Sequence, residues 1–491
     1  MSNSSASISR RAVHSLVGVA IMFLFRYLPL HLPEVTPVGM EIIGVFIGTL
    51  YLWTTVDPVW SSLLSIFMIG VSSYGPMNQV LSAAFGNPVV IQMLFLMIVM
   101  NSMVYNKLTA YIGRFFLTMK INNGRPWVFP AMLMVGAMLM AAFVGPFSPI
   151  FLFWPVLYDI FQEIGIEKGE KYPTIMLILV AIATLLGFPV PPYSGNSLAL
   201  IGNYAGITEN MGSKVIINNA AYLAVALVYG FVSIAVIVLF CKYVLRPDVS
   251  KLKNLDVEML KRNPLPPLNG NQKFMAVSFV IYILTMLLPS MLPKLKIMQF
   301  LSVNNYGIAL GYTALLCCVS LDKEKHEPVL PFGKVLNGFA WGTFFLCTAA
   351  ILLGSVLTNE STGISAFLNT ILRPVFSSMS LVMFYVALLV ITLLLTNICN
   401  SLVVGMLMQP VIASFCLSSG INSAPITSLI IIFVLASASV TPSASPFAAM
   451  IHGNKEWLKS GEIYKYTMMF AVIELVLVIA VGIPFATALI H

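Results

Sequence analysis

Thirteen apolar stretches, each close to the length that carries one helix across a bilayer or clearly longer, divide this chain almost end to end. They fall at 13–32, 39–55, 58–75, 88–105, 127–163, 173–206, 217–243, 274–291, 298–320, 336–358, 380–416, 425–452 and 466–489. Hydrocarbon offers no water to the backbone, so such stretches must satisfy their own N–H and C=O groups, which a helix does. With 59% hydrophobic and 9% charged residues, against roughly 25% charged in a soluble domain, the chain reads as an all-α integral membrane protein. The stretch after Arg10 and Arg11 imitates a signal peptide, but no convincing small-residue cleavage site follows it, and it counts as the first span. Six cysteines lie scattered through apolar segments without metal-ligand spacing and read as packing residues.

Four stretches cannot be plain spans. The stretch 127–163 is too long for one helix and too short for two comfortable crossings, and Gly145, Pro146, Ser148 and Pro149 break its middle. It reads as a re-entrant hairpin. The stretch 380–416 has the same length; within it Thr396, Asn397, Asn400 and Ser401 interrupt LLLTNICNSLVVGMLMQP, which makes a second hairpin. Uncharged polar groups at this depth need internal partners or a bound solute. The stretches 173–206 and 425–452 are interrupted by GFPVPPYSGNS and ASASVTPSASP, so each reads as a broken helix.

The breaks recur at one spacing. Residues 145 and 400 are 255 apart, residues 196 and 448 are 252 apart, and Leu108 and Gly363, each following an apolar span, are again 255 apart. An internal repeat follows. It divides the chain into N-terminal scaffold spans (1–87), a first repeat core (88–212), connecting spans with a polar loop at 244–273 (213–335), and a second repeat core (336–491).

Charge placement sets the topology. With the amino terminus inside and both hairpins returning to their own side, 21 of the 26 Lys and Arg residues lie inside; Arg26, Lys214, Lys294, Lys296 and Arg373 lie outside. The net charge of +8 is therefore a topology signal rather than a nucleic-acid surface. This gives eleven spans and two hairpins, with the carboxyl terminus outside. An odd number of crossings separates the hairpins, so their tips enter from opposite faces and meet near the midplane, as in the inverted repeats of secondary transporters.

Each polar residue also has a plainer reading. Thr396, Asn400 and Ser401 can join neighbouring helices by hydrogen bonds, and Gly145–Pro149 can be a kink. Ser437, Ser439, Thr441, Ser443 and Ser445 can cap helix ends or offer oxygens to a cation, and both readings stand. Asn196 and Ser197 sit in unwound backbone, which at membrane depth has to line protein or a cavity. The tips and breaks contain no Asp, Glu, Lys, Arg or His, which favours Na⁺ held by neutral oxygens over a proton relay. Were protons used, Glu41, Glu360 and Glu474 would be the carriers; His452 reads as an interface residue. No Walker-type loop and no nucleophile–base pair or metal cluster points to ATP drive or to an enzyme.

NPVVIQMLFLMIVMNSMVYNKLTAYIGRFFL, the hairpins leading to Pro155 and Pro410, GFPVPPYSGNSLALIGN, FAWGTFFLCTAAILLGSVLTNESTGISAFL and VTPSASPFAAMIHGN together resemble the divalent-anion/sodium symporter family of the ion transporter superfamily, over about residues 88–490. Members of that family carry a Ser-Asn-Thr triplet at each hairpin tip, ten residues before a proline. Here the corresponding triplets are Gly145-Pro146-Phe147 and Asn400-Ser401-Leu402, with the family's threonine kept at Thr396; the first break keeps an asparagine in Ser194-Gly195-Asn196, and the second reads Ser445-Pro446-Phe447-Ala448. The resemblance implies substrate contacts from Gly145, Pro146, Phe147, Ser148, Asn196, Asn400, Ser401, Leu402 and Ser445, and Na⁺ contacts from Gly145, Asn196, Thr396, Asn400, Ser401 and Thr441. It implies sodium-coupled symport of a small anion, di- or tricarboxylate or sulfate-like, by a homodimer in the cell membrane without a cofactor beyond the coupling ion. The alternative is a proton-coupled transporter or exchanger of the same superfamily.

Overall fold

Several helices start where a capping side chain meets a proline. Thr36, Asp57 and Asn87 precede Pro37, Pro58 and Pro88, and their side-chain oxygens accept from Gly39 N (3.0 Å), Val59 N (2.8 Å) and Val89 N (2.9 Å). Each cap satisfies an N–H that the helix itself leaves open, and proline at the first turn loses nothing by having none. The computed structural model describes residues 2–122, 125–193, 195–250, 265–322, 326–376 and 379–490, and among them every regular element is helical.

Two helices, Lys171–Gly187 and Ala424–Ala436, form the centre. Every residue from Tyr172 to Gly187 and from Ala424 to Ala436 is buried. Helices apolar on all sides belong in such a position. By contrast Gly270–Met291 leaves Val277, Val280, Ile281, Leu284 and Met291 exposed and Lys296–Val303 buries none, as a helix facing lipid does.

Around the centre both hairpins and both broken helices form. The first hairpin is Val128–Phe143 and Ser148–Glu163, the second Leu381–Thr396 and Ser401–Ser418. The first broken helix is Lys171–Gly187 and Gly195–Asn210, the second Ala424–Ala436 and Pro446–Gly453. Helix starts at residues 88 and 341, 128 and 381, 148 and 401, and 171 and 424 are each 253 apart. The order of elements therefore repeats.

Five continuous helices among the described residues are long and apolar enough to cross a membrane, Pro37–Thr55, Pro88–Tyr105, Asn219–Leu245, Gly270–Met291 and Ser460–Leu489. Two stretches expected to be simple crossings are not. The stretch 298–320 divides into Lys296–Val303 and Asn305–Cys318, where the Asn304 side chain turns back to Phe300 O (2.8 Å) and competes with the helix ladder. The stretch 336–358 opens with Phe332–Gly338, bends by 80°, and continues as Trp341–Leu357. That bend exposes Val335 O, which the Asn101 amide takes up.

Candidate functional site

The two hairpin turns and the two helix breaks open onto one cavity of about 790 Å³. Its wall contains Gly145, Pro146, Phe147 and Ser148 from the first turn, Gly195 and Asn196 from the first break, Asn400, Ser401 and Leu402 from the second turn, and Ser445, Pro446 and Phe447 from the second break. All nine residues expected to meet substrate lie on this one surface. Ser148 and Ser401, 253 positions apart, share it. Among the described residues, none that lines the cavity is Asp, Glu, Lys, Arg or His.

Helix starts dominate the electrostatics. Ser148–Glu163, Gly195–Asn210, Trp341–Leu357, Ser401–Ser418 and Pro446–Gly453 all begin at the wall. A helix start carries partial positive charge and N–H groups that lack intrahelical partners. At two of them the side chain already caps: Asn400 Oδ1 accepts from Leu402 N (3.0 Å), and Ser445 Oγ accepts from Ala448 N (3.1 Å) while donating to Ala438 O (2.6 Å). At Ser148 and Trp341 no side chain caps the helix. Gly195 has φ +49°, a left-handed conformation that glycine adopts freely, and it starts its helix at the cavity wall. Among the described residues, no hydrogen bond engages Ser148 Oγ, Ser401 Oγ or Asn196 Nδ2, so these groups can turn to a ligand.

Thr396 and Thr441 lie off the cavity wall. Thr396 Oγ1 donates to Val434 O (2.9 Å) and is fully buried; Thr441 Oγ1 donates to Asn397 O (2.6 Å). Asn397 completes this seam. Its Nδ2 reaches Ser437 O (3.1 Å) and its Oδ1 accepts from Ser439 N (3.2 Å) and Val440 N (2.9 Å), while Ser401 N donates to Ala444 O (2.9 Å). The second turn is thus stitched to the unwound stretch of the second broken helix. Ser197, beside Asn196, donates to Pro189 O (3.0 Å) and holds the first break. Ser194 lies outside the described residues.

The carboxylates considered for proton coupling are elsewhere. Glu41 pairs with Arg26 (3.0 Å) and accepts from Ser73 N (2.8 Å). Glu360 begins a short 3-10 turn. Glu474 is fully buried, with no hydrogen bond to its carboxyl oxygens among the described residues, and does not line the cavity. His452 Nε2 lies 2.9 Å from Val440 O.

Sequence reasoning missed Asn101, Thr109 and Thr343, which also line the cavity. Asn101 was visible as an amide inside the apolar run 88–105. Thr343 was hidden because the run 336–358 carries no proline to announce its bend.

The chain's structure is similar to the crystal structure of the Alcanivorax borkumensis YdaH transporter, with a TM-score of 0.58 over 92% of this chain and 98% of that one, at 11% identity. No curated protein matches the sequence. The family model for the sodium:sulfate symporter transmembrane region matches residues 206–491, from the end of the first broken helix through the second hairpin and the second broken helix. More than half of the chain is covered by that match, and this multi-pass membrane protein belongs to the sodium:sulfate symporter transmembrane family.

Proposed function

We propose that the chain is a secondary active transporter that carries a small anion together with Na⁺ by alternating access. The carrying observation is the convergence of five helix starts on one cavity whose wall, among the described residues, holds no charged side chain. Helix ends and unpaired N–H groups draw an anion there, and the coupled cation adds the charge that the side chains lack. Neutral oxygens of Asn196, Asn400 and Ser401, with backbone carbonyls at Gly145, are the Na⁺ ligands in this reading. Thr396 and Thr441 act as ties between helices instead. With no Asp, Glu, Lys, Arg or His among the described residues of the wall, sodium coupling is favoured over proton coupling.

In the same reading the two repeats are inverted, the amino terminus is cytoplasmic, the carboxyl terminus is extracytoplasmic, and the chain sits as a homodimer in the cell membrane. Hydrogen bonds support this topology by joining segments that charge placement puts on one face. Thr36 Oγ1 to Ser361 O (2.7 Å) and Asn210 Nδ2 to Ser355 Oγ (3.1 Å) lie on the outer face; Asn454 Nδ2 to Tyr158 OH (2.9 Å) and Gln272 Nε2 to Asn106 O (2.8 Å) lie on the inner. The two repeat cores, 88–212 and 336–491, would supply the hairpins that move against the scaffold.

Uptake into proteoliposomes tests the reading directly. Carboxylates and sulfate are offered with an inward Na⁺ gradient, with K⁺ in its place, and with the gradient collapsed. Uptake that follows the Na⁺ gradient is expected, and equal uptake in all three conditions would reject sodium symport.

A further inference from the structure

The cavity is far from uniformly polar. Between its helix starts the wall is built of Phe147, Phe188, Phe447, Phe151, Met97 and Met100. The Phe447 ring centroid lies 5.1 Å from that of Phe147 and 5.2 Å from that of Phe188, so the buried Phe447 of the second broken helix backs the partly exposed rings of the first turn and the first break in one aromatic cluster. Phe151 keeps 68% of its surface unpacked. Thioethers at Met97 and Met100, both only partly buried, add a soft surface that adapts to varied hydrocarbon shapes.

Charge and size bear on what fits. A sulfate or dicarboxylate brings two negative charges out of water, and this wall meets them with neutral donors and, among the described residues, no Lys, Arg or His. Removing charge from water is costly unless each charge finds a partner. One carboxylate can be met by the helix starts and a coupled cation; a second would face phenyl rings. A cavity of about 790 Å³ falls in the range of roughly 300–1,000 Å³ that holds an organic ligand, which leaves most of the space beyond an oxyanion to be filled by hydrocarbon.

We propose that this cavity takes an organic monoanion, with one carboxylate at the helix starts near Ser148, Asn196 and Ser401 and an apolar body against the aromatic and thioether wall. The proposal rests on the anion-transporter reading above and narrows it.

Thermal unfolding of the purified full chain in Na⁺ buffer tests it, because a ligand that binds the folded protein raises the midpoint by an amount that grows with the logarithm of its concentration relative to its Kd. Butanoate, hexanoate, adipate and sulfate are titrated, with hexanol as the control for partition into detergent. Each buried methylene strengthens binding about fourfold, so hexanoate, with two more of them, should act at about fifteenfold lower concentration than butanoate, and adipate, which differs from hexanoate by its second carboxylate, should be weaker. Hexanol should not shift the midpoint. Phe147→Ala should weaken hexanoate about tenfold while changing butanoate far less; Met100→Gln, which keeps the side-chain length, gives the same comparison should the alanine variant not fold. Adipate or sulfate acting at lower concentration than hexanoate would overturn the proposal and leave the anion reading standing, as would a hexanol shift equal to that of hexanoate. No shift with any anion would overturn both.

Discussion

Asn397 and Ser401 sit four residues apart in one apolar run, and their side chains do different work. Asn397 bonds to Ser437 O, Ser439 N and Val440 N, whereas Ser401 presents its hydroxyl to the cavity. Asn397→Ala leaves two buried N–H groups and a carbonyl without that partner, and stability should fall by about 2 kcal/mol or more, read as a lower denaturation midpoint. Ser401→Ala should change stability by less than about 0.5 kcal/mol and raise the KM for anion uptake roughly tenfold, the loss expected for a hydrogen bond to a charged ligand. If both variants lost stability alike, the division between seam and site would be wrong. In the sequence these two residues look the same, since both are uncharged polar groups at hairpin depth. Only the partner on another element separates them. That is why the nine residues assigned to substrate lie together while Thr396 and Thr441, chosen for Na⁺ by the same reasoning, turned out to face carbonyls.

Element boundaries were legible where proline, glycine or a cluster of uncharged polar residues interrupts an apolar run, because the chemistry of the break is local. Gly145-Pro146 and the prolines between Gly187 and Ser197 mark the first hairpin and the first broken helix, and residues 397–400 and 437–445 mark their counterparts. The 80° bend before Trp341 was not legible, because what stabilises it is Asn101 from 234 positions earlier. Close helix contact is likewise a tertiary property. Gly187, at the end of the central helix, lies so near the first hairpin that a Cβ there would stand 2.1 Å from Met138 O. Backbone cannot rotate away as a side chain can, so Gly187→Ala has to push the hairpin off the central helix. The expected cost is about 1–3 kcal/mol, seen as a lower midpoint in detergent; an unchanged midpoint would mean that the hairpin is held loosely there.

For the whole molecule, the strongest sequence signal was the 21-to-5 division of Lys and Arg, and its physical basis is independent of the packing that joins the loops. Two unrelated constraints therefore bear on one topology. The charge rule puts Lys214 and Ser361 outside and Lys168 and Lys455 inside; the fold ties Ser361 to Thr36 and pairs Lys168 with Glu456, next to Lys455. All four positions are exposed at the ends of spans. In a variant freed of its native cysteines, an impermeant thiol reagent added to intact cells should modify Lys214→Cys and Ser361→Cys and should reach Lys168→Cys and Lys455→Cys only after the membrane is opened. Modification of Lys168→Cys and Ser361→Cys from the same side would require an even number of crossings between the two hairpins, and their tips could no longer approach the cavity from opposite faces. The shared wall of Ser148 and Ser401 would then be a contact between elements entering from one side, and alternating access by inverted repeats would lose its geometric basis.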